Sequence, residues 1–266
     1  MLGQQFSCID LKLTGEQLMA RRNLQLVQDT TKTKGRRSTP LKIQPNDLSR
    51  FDPITNTQSL FWQKYKKKDA LLLHGSAGTG KTFIALYKAM EDVINKGGPY
   101  HKLIIIRSAV PSREIGHLPG DYGEKIDVYS IPYQNMMDEL FPHKDKPYDR
   151  LMEQKKLYFM CTSFVRGITL DNSIIIVDEC QNMNDMEINS IMTRVGHNSK
   201  IIFSGDFRQT DLYKNNDKSG LKKFIQIAEN MASFDTIEFG PEDIVRSDLV
   251  KEYILARVDY EEKYEN

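Results

Sequence analysis

The chain has 266 residues, with 37 Lys and Arg side chains against 36 Asp and Glu, which gives a formal net charge of +1. This balance excludes a uniformly basic nucleic-acid-binding surface, so any contact with phosphates must be local. The three cysteines are too few and too scattered for a disulfide framework or a zinc site, and no apolar run reaches the roughly 18 residues that span a bilayer. We therefore expect a soluble, cytoplasmic protein with no membrane partner.

The amino-terminal residues 1–50 are predicted to be an extension of the folded domain. Their polar segment Thr30–Lys42 is basic, and such a segment either contacts phosphate groups or serves as a solvated linker. A folded domain is predicted over residues 51–260, and a charged tail over residues 261–266.

A helix is predicted to begin near Asn56 or Thr57, either of which has a side chain suited to an N-cap. Gln58 follows directly, upstream of the first strand. Its amide offers both a donor and an acceptor, so it can read an adenine edge or cap the helix.

The short apolar run Leu71–Leu73 predicts a buried strand that leads into a glycine-rich turn. Residues 75–82 fit the phosphate-loop pattern of G, four residues, G-K and then S or T. The apolar residues of Phe83–Met90 predict a helix after the turn, which is the context that the pattern requires. The turn therefore predicts a nucleoside triphosphate site.

Each part of this phosphate loop has a predicted role. Its backbone N–H groups and the N-terminus of the following helix would wrap the phosphates. Lys81 would reach the β and γ phosphates, and the hydroxyl of Thr82 would hold Mg²⁺. The predicted nucleotide-binding residues of the loop are Gly75, Ser76, Ala77, Gly78, Thr79, Gly80, Lys81 and Thr82.

A second buried strand is predicted over Leu103–Ile106, followed by Arg107 and the long connection Ser108–Asp121. Ligands of open α/β sheets bind at the carboxyl ends of the strands. Arg107 and Arg113 are therefore candidates to contact nucleic-acid phosphates without reading bases. An ordinary long connection is the alternative interpretation.

A third strand is predicted over Leu157–Cys161, and a fourth over the apolar run Ile174–Val177. The fourth strand ends in Asp178 and Glu179, as a strand that reaches a phosphate pocket does. Asp178 would bind Mg²⁺ directly or through water, and Glu179 would orient and polarise the attacking water.

The next predicted strand, Lys200–Ser204, also ends in polar groups, among them Gln209 a few residues on. The amide of Gln209 could sense the γ-phosphate by hydrogen-bonding to it or to the lytic water. A surface amide is the alternative.

The carboxyl-terminal part contributes a short strand at Thr236–Phe239 and an arginine, Arg246, before the closing helix. An arginine at a helix entrance near the nucleotide could stabilise the transferred phosphoryl charge. Helices are predicted over Ser130–Leu140, Tyr148–Gln154, Leu221–Met231 and Asp248–Tyr260.

Strands that alternate with helices predict an α/β fold, a mostly parallel sheet with helices on both faces. The catalytic acid that directly follows the metal-binding one resembles the RecA-like branch of phosphate-loop ATPases, and we expect a single core of that kind. The guanine-recognition motif Asn-Lys-x-Asp is not matched, because Asn95-Lys96 is followed by two glycines. ATP is therefore expected rather than GTP.

Together the motifs resemble one family, the PhoH-like ATPases, which are similar to the core of superfamily 1 helicases. The resemblance spans roughly Asn56 to Tyr260. Its motifs are Gly75–Thr82, Arg107–Val110, Leu118–Asp121, Arg166-Gly167 with Thr169, Asp178–Asn182, Thr193–Gly196, Ser204–Asp206 with Gln209, and Glu242–Arg246. The sequence departs at Cys180, where alanine is usual, and at Ile168, where a second arginine is common. The change at Ile168 leaves the role of Arg166 open.

The resemblance implies an ATP-binding protein with an RNA-directed helicase or ATPase role, and hexameric rings occur among the relatives. It also implies that Gln58 corresponds to the glutamine that reads adenine. The amino-terminal stretch and the small size resemble a phage-encoded member, which would act in the host cytoplasm.

The expected function is that of a Mg²⁺-dependent ATPase coupled to single-stranded RNA or DNA, with RNA favoured. One phosphate loop, without the length for a second core, predicts a homo-oligomer in which an arginine of the neighbour completes the site. The candidate arginines are Arg246, Arg194 and Arg166.

Two other functions use the same phosphate loop. A kinase would need an acceptor pocket and a lid, and a water-activating Glu179 argues against it. A nucleotide-gated binding or stress-response protein would have little turnover.

Overall fold

The computed structural model describes residues 42–108, 122–206 and 220–264. Several predicted features lie outside these residues, namely most of the basic segment Thr30–Lys42, Arg113, the motif Leu118–Asp121 and Gln209.

Six strands form one sheet in the spatial order β3-β2-β4-β5-β1-β6, and every neighbouring pair is parallel. The strands are β1 (Ala70–Gly75), β2 (Lys102–Arg107), β3 (Leu157–Cys161), β4 (Ser173–Asp178), β5 (Lys200–Gly205) and β6 (Phe234–Phe239). The predicted α/β class and parallel sheet are confirmed, and the predicted strand ends differ from those of the structure by at most two residues.

The apolar runs of the strands follow from a sheet that is covered on both faces. Leu71 and Leu73 of β1 pack into one hydrophobic cluster, whereas Leu72 packs into the other. β2 and β4 alternate in the same way, so successive side chains of each strand enter opposite layers of the core. Neither face is left for water, and the central strands are therefore continuously apolar rather than alternating.

The described residues contain seven α-helices: α1 (Asn56–Tyr65), α2 (Lys81–Ile94), α3 (Tyr122–Leu140), α4 (Pro147–Glu153), α5 (Asp185–Met192), α6 (Gly220–Ala228) and α7 (Asp248–Tyr264). None of them is long and apolar enough to cross a membrane.

Several details of the helices differ from the sequence predictions, among them the start of α3, which lies at Tyr122 and not at Ser130. The N-cap of α1 is Thr55, whose side chain accepts a hydrogen bond from Gln58 N, so both predicted caps were wrong. Helix α5 was not predicted, although Asn184 and Glu187 form a capping box at its start. Helix α7 continues to Tyr264 and includes most of the predicted charged tail.

The folded domain also begins before residue 51. Ile43 is buried in the core, and the backbone N–H of Ser49 donates to the carbonyl of Leu140 at 2.9 Å. A salt bridge of 2.9 Å joins Asp47 to Lys144. The end of the predicted extension is therefore packed on the domain.

Candidate nucleotide-binding site

The phosphate loop connects β1 to α2 at the carboxyl edge of the sheet. In the register of the parallel strands, Leu73 pairs with Ser204 of β5, and Arg107 of β2 pairs with Asp178 of β4. The described site residues that follow these strands are consequently collected at one edge, where α/β proteins bind ligands.

Gly75, the first residue of the loop, is required by the neighbouring strand β6. Its φ is +120°, and a Cβ atom built there would lie 2.0 Å from the carbonyl oxygen of Phe239. Only glycine fits this close approach of two backbones. The glycine thus allows β6 to pack beside the loop, in addition to any contact with phosphates.

The carboxyl-terminal segment packs against the middle of the loop. The backbone N–H of Val245 donates to the carbonyl of Gly78 at 3.0 Å. A Cβ atom on Gly78 would lie 3.0 Å from Cγ of Arg246 and 3.4 Å from Cδ1 of Ile254. The aliphatic part of the side chain of Arg246, a predicted site residue, therefore lies against the loop. The residue as a whole is exposed.

Lys81 lies inside the loop, with its side chain folded back along it. Its Nζ donates to the carbonyls of Gly75 at 2.9 Å and Ser76 at 2.7 Å. Burial lowers the pKa of Lys81, and the carboxylates of Asp206 and Glu179 act in the opposite direction. The ammonium is thus held where phosphate oxygens would compete with the two carbonyls for it.

Gln58 reaches the same loop from α1. The side chain is buried, its Oε1 accepts from the N–H of Ile54 at 2.9 Å, and its Nε2 donates to the carbonyl of Thr79 at 3.3 Å. Its amide therefore joins the segment before α1 to the loop, a contact that sequence reasoning did not foresee. Adenine recognition by Gln58 stays a prediction.

Thr82 and Asp178, the two predicted metal ligands, are in direct contact. The hydroxyl of Thr82 donates to Oδ1 of Asp178 at 2.8 Å and lies 3.1 Å from Oγ of Ser204. Hydroxyl and carboxylate oxygens are the hard ligands that Mg²⁺ prefers. The donor set therefore fits a magnesium ion that also binds nucleotide phosphates.

The described residues hold no group of three or more His, Cys, Asp or Glu side chains that could form a metal site on its own. A site for Mg²⁺ does not require such a group, since the ion is usually bound by one or two protein oxygens together with phosphates and water.

The other oxygen of Asp178 contacts a residue that the sequence analysis missed. Oδ2 accepts from the hydroxyl of Tyr133, on α3, at 2.7 Å. Burial and the nearby carboxylate raise the pKa of Tyr133 well above its usual range, so the hydroxyl keeps its proton and acts as a donor. No motif contains Tyr133, and only its place in the folded chain reveals the contact.

Glu179 adopts a left-handed backbone conformation, with φ +53° and ψ 40°. Such a conformation is uncommon for a residue with a side chain and is often found at functional sites. Burial and, secondly, the charge of Asp178 raise the pKa of Glu179. The backbone turn lets two successive acids point in different directions.

Gln181 connects Glu179 to the end of β5. Its Nε2 donates to Oε2 of Glu179 at 2.6 Å, and its Oε1 accepts from the N–H of Asp206 at 3.1 Å. A Cβ atom on Gly205 would lie 2.6 Å from the same Oε1. Gln181 is part of the motif Asp178–Asn182, but the sequence analysis gave it no role. The available signal was an amide side chain two residues after the acid pair.

The other predicted arginines within the described residues lie in three different environments. The guanidinium of Arg107 lies over the ring of Tyr129, 5.7 Å from its centre, and its charge partly opposes the rise in the pKa of Glu179. Arg166 is exposed. Nε of Arg194 is buried, without a hydrogen-bond partner among the described residues.

Comparison of the sequence with known proteins identifies a family and several relatives. The family model described as PhoH-like protein matches residues 50–257. A PhoH-like protein of Bacillus subtilis is 36% identical over 192 residues, which are 72% of this chain and 59% of that protein. Protein PhoH of Escherichia coli is 30% identical over 211 residues, which are 79% of this chain and 59% of that protein. This chain thus spans about three fifths of these relatives.

Two solved structures are also similar at low sequence identity. The large terminase of a thermophilic bacteriophage, in complex with ADP, gives a TM-score of 0.45 at 18% identity over 76% of this chain and 49% of that chain. The Pif1 helicase of Candida albicans gives a TM-score of 0.32 at 16% identity over 71% of this chain and 40% of that chain.

The parallel sheet and the glycine-rich loop between β1 and α2 define an α/β protein of the phosphate-loop class. Within that class, the chain belongs to the PhoH-like protein family, as the motifs indicated. The two curated relatives described above are bacterial and do not support the suggestion of a phage source.

Proposed function

We propose that the protein is a Mg²⁺-dependent ATPase of the cytoplasm whose hydrolysis is coupled to single-stranded nucleic acid, with RNA favoured over DNA. The observation that carries the proposal is the 2.8 Å hydrogen bond between Thr82 and Asp178. It brings the metal-binding end of the phosphate loop to the strand that ends in the acid pair, as phosphoryl transfer to water requires.

Binding of ATP would use the N–H groups of the loop, the N-terminus of α2 and Lys81. The N–H groups and the helix N-terminus favour negative charge, and Lys81 would exchange the carbonyls of Gly75 and Ser76 for β- and γ-phosphate oxygens. The carboxylates near Lys81 favour its charged form, which opposes the effect of burial. Lys81→Ala is therefore expected to remove nucleotide binding.

The metal would be held by Thr82 and Asp178 together with the phosphates. Mg²⁺ supplies positive charge that offsets the negative charge developing on the transferred phosphoryl group. Thr82 would turn its oxygen towards the ion while Asp178 stays beside it, either as a direct ligand or through water.

Glu179 would accept the proton of the attacking water. Its raised pKa suits a general base, because a base works best when its pKa lies near the working pH. Gln181 would hold the carboxylate of Glu179 in place. Gln209 and one arginine, with Arg246 the first candidate, would couple hydrolysis to movement.

Nucleic acid would pass over the loops at the carboxyl edge of the sheet. Arg107 lies at the end of β2 and begins the connection that carries Arg113. Both would contact phosphates, whose recognition is independent of sequence and sensitive to salt.

We propose a homo-oligomer, with a hexameric ring as one form, in which an arginine of a neighbour completes the nucleotide site. Helix α7, whose Ile254 packs on the loop, exposes Leu249 by 76% and Tyr253 by 64%. Sedimentation of the wild type and of the double variant Leu249→Ser with Tyr253→Ser tests this arrangement, with Glu252→Ser on the same helix as the control. We expect only the double variant to sediment as a monomer; a wild type that is monomeric with ATP and has full turnover contradicts the proposal.

A second candidate function is a nucleotide-gated binding protein with little turnover. In this function the hydrogen bond from Gln181 would keep Oε2 of Glu179 away from the attacking water instead of positioning it as a base. In that case ATP would bind and alter the nucleic-acid affinity without being hydrolysed.

Release of phosphate, measured with and without poly(U) or single-stranded DNA, separates the two functions. We expect turnover that rises strongly with polymer, more with poly(U), and that disappears in Glu179→Gln. Turnover that is negligible with every polymer, together with tight ATP binding, would favour the gated binder.

A further inference from the structure

We propose that Tyr133 is a positioning residue for the magnesium site, because its hydroxyl fixes the orientation of the Asp178 carboxylate. This inference rests on the proposed function, in which Asp178 and Thr82 hold the ion. It assigns a role to α3, an element in which no sequence motif places a site residue.

The two oxygens of Asp178 are engaged by two different hydroxyl groups. Oδ1 accepts from Thr82 at 2.8 Å, and Oδ2 accepts from Tyr133 at 2.7 Å. The torsion that turns an aspartate carboxylate is broad and poorly restrained by sterics alone. A hydrogen bond to each oxygen therefore defines which one faces the phosphate loop.

Tyr133 is well placed to act as the fixed partner of this pair. Its side chain is fully buried, and its ring packs on Phe159 of β3 with the ring centres 5.5 Å apart. Met137, one helical turn further along α3, is buried in the core as well. Thr82 by contrast must turn its oxygen towards the metal, so during binding the hydroxyl of Tyr133 remains as the contact that restrains Asp178.

Residues that donate hydrogen bonds to the side chains that bind a metal commonly tune the affinity of the site for that metal. Loss of the Tyr133 hydroxyl should therefore weaken the binding of Mg²⁺ and leave the metal-free affinity for nucleotide unchanged. A merely structural role would predict lower stability and no specific effect on the metal.

Tyr65 offers a matched control within the same chain. It is also a buried tyrosine, and its hydroxyl donates to Oδ2 of Asp92 at 2.8 Å and lies 3.3 Å from the carbonyl oxygen of Lys88. Tyr65→Phe thus removes the same group from the same type of partner, at the end of α1 and away from the acid pair.

The test is a titration of Mg²⁺ into protein bound to a fluorescent, non-hydrolysable ATP analogue (mant-AMPPNP), with fluorescence as the readout. We expect Tyr133→Phe to need about tenfold more Mg²⁺ than the wild type, since changes to the partners of metal ligands typically cost about 10- to 100-fold. Tyr65→Phe should resemble the wild type in its Mg²⁺ requirement. Thermal unfolding of both variants measures their general effect on stability.

The outcomes separate the inference from the proposed function. A wild type whose nucleotide complex does not respond to Mg²⁺ overturns the magnesium site itself. A responsive wild type with an unchanged Tyr133→Phe, or an equal change in Tyr65→Phe, overturns the role of Tyr133. If Tyr133→Phe does not fold, Phe159→Leu provides a second test, because it loosens the ring and keeps the hydroxyl; an unaltered Mg²⁺ requirement there also overturns the inference.

Discussion

Thr82 and Asp178 are 96 positions apart in sequence, and their side-chain oxygens lie 2.8 Å from each other. The first lies in the opening turn of α2 after the phosphate loop, and the second ends β4. β5 lies between β1 and β4 in the sheet, so the contact bridges across the end of an intervening strand. A phosphate loop that serves the proposed metal site requires such a contact, whereas an ordinary glycine-rich turn does not.

Asp178→Asn should abolish the enhancement of nucleotide binding by Mg²⁺, because an amide is a weaker ligand for a hard cation than a carboxylate. We expect turnover to fall by about 100-fold or more, in keeping with the loss of several kcal/mol of charge stabilisation. Calorimetric titration of ATP with and without Mg²⁺ measures the effect. Asp235→Asn, in β6 beside Lys64, is the control and should retain the magnesium effect.

Gly75→Ala should destabilise the whole domain, not only the loop. The added Cβ atom would lie 2.0 Å from the backbone oxygen of Phe239, and the φ of +120° is strained for alanine. We expect a loss of about 3 kcal/mol or more in the free energy of unfolding, measured with urea.

Gly98→Ala is the matched control for that experiment, since its Cβ atom would meet nothing closer than 3.5 Å. The change should stay within about 1 kcal/mol. Equal stability of the two variants would show that β6 does not constrain the first glycine of the loop.

Much of this fold was predictable because its signals are local. The interior of β4 is apolar at every position from Ile174 to Val177, and such runs are typical of parallel strands covered on both faces. Helix α5 escaped prediction because it is short, and its cap at Asn184 was the main local signal. The cap of α1 was misplaced because Thr55, Asn56 and Thr57 are all suitable residues.

The site was predictable only as far as its motifs reach. Lys81, Thr82 and Asp178 stand in recognisable patterns, and the register of parallel strands then places them at one edge. Tyr133 carries no such pattern, because a tyrosine within a helix is usually a core residue. Its contact with Asp178 depends on the packing of α3 against the sheet, which is a property of the tertiary structure.

Gln181→Leu should have two effects, one on the pKa of Glu179 and one on the stability of the fold. The N–H donation that favours the charged carboxylate is removed, so the pKa of Glu179 rises further. The N–H of Asp206 also loses its acceptor, which costs about 1–3 kcal/mol when such a group is buried. Steady-state turnover as a function of pH, together with urea unfolding, checks both effects. Wild-type values in both measurements would refute the bridging role.

Arg107→Gln should change the pH dependence of turnover. Burial raises the pKa of Glu179, and the charge of Arg107 partly opposes this rise. The base acts in its ionised form, so turnover falls as the pH drops through this pKa. Without Arg107 the pKa is higher, and turnover is therefore lost at a higher pH than in the wild type.

Arg50→Gln is the control for Arg107, because Arg50 is an exposed arginine that pairs with Asp52. It should leave the acidic limb of the pH profile in place. If Arg107→Gln instead changes only the salt dependence of polymer stimulation, Arg107 is a phosphate contact and has no influence on the base.

In the proposed function, ATP bound at the phosphate loop is cleaved with Glu179 as the base. Single-turnover hydrolysis of ATP by the wild type and by Glu179→Gln, at matched nucleotide occupancy, tests it most directly. We expect equal binding and a rate that falls by about 10² to 10⁴-fold in the variant, the usual contribution of a general base. Hydrolysis by Glu179→Gln at the wild-type rate, or a wild type that binds no ATP, would contradict the account.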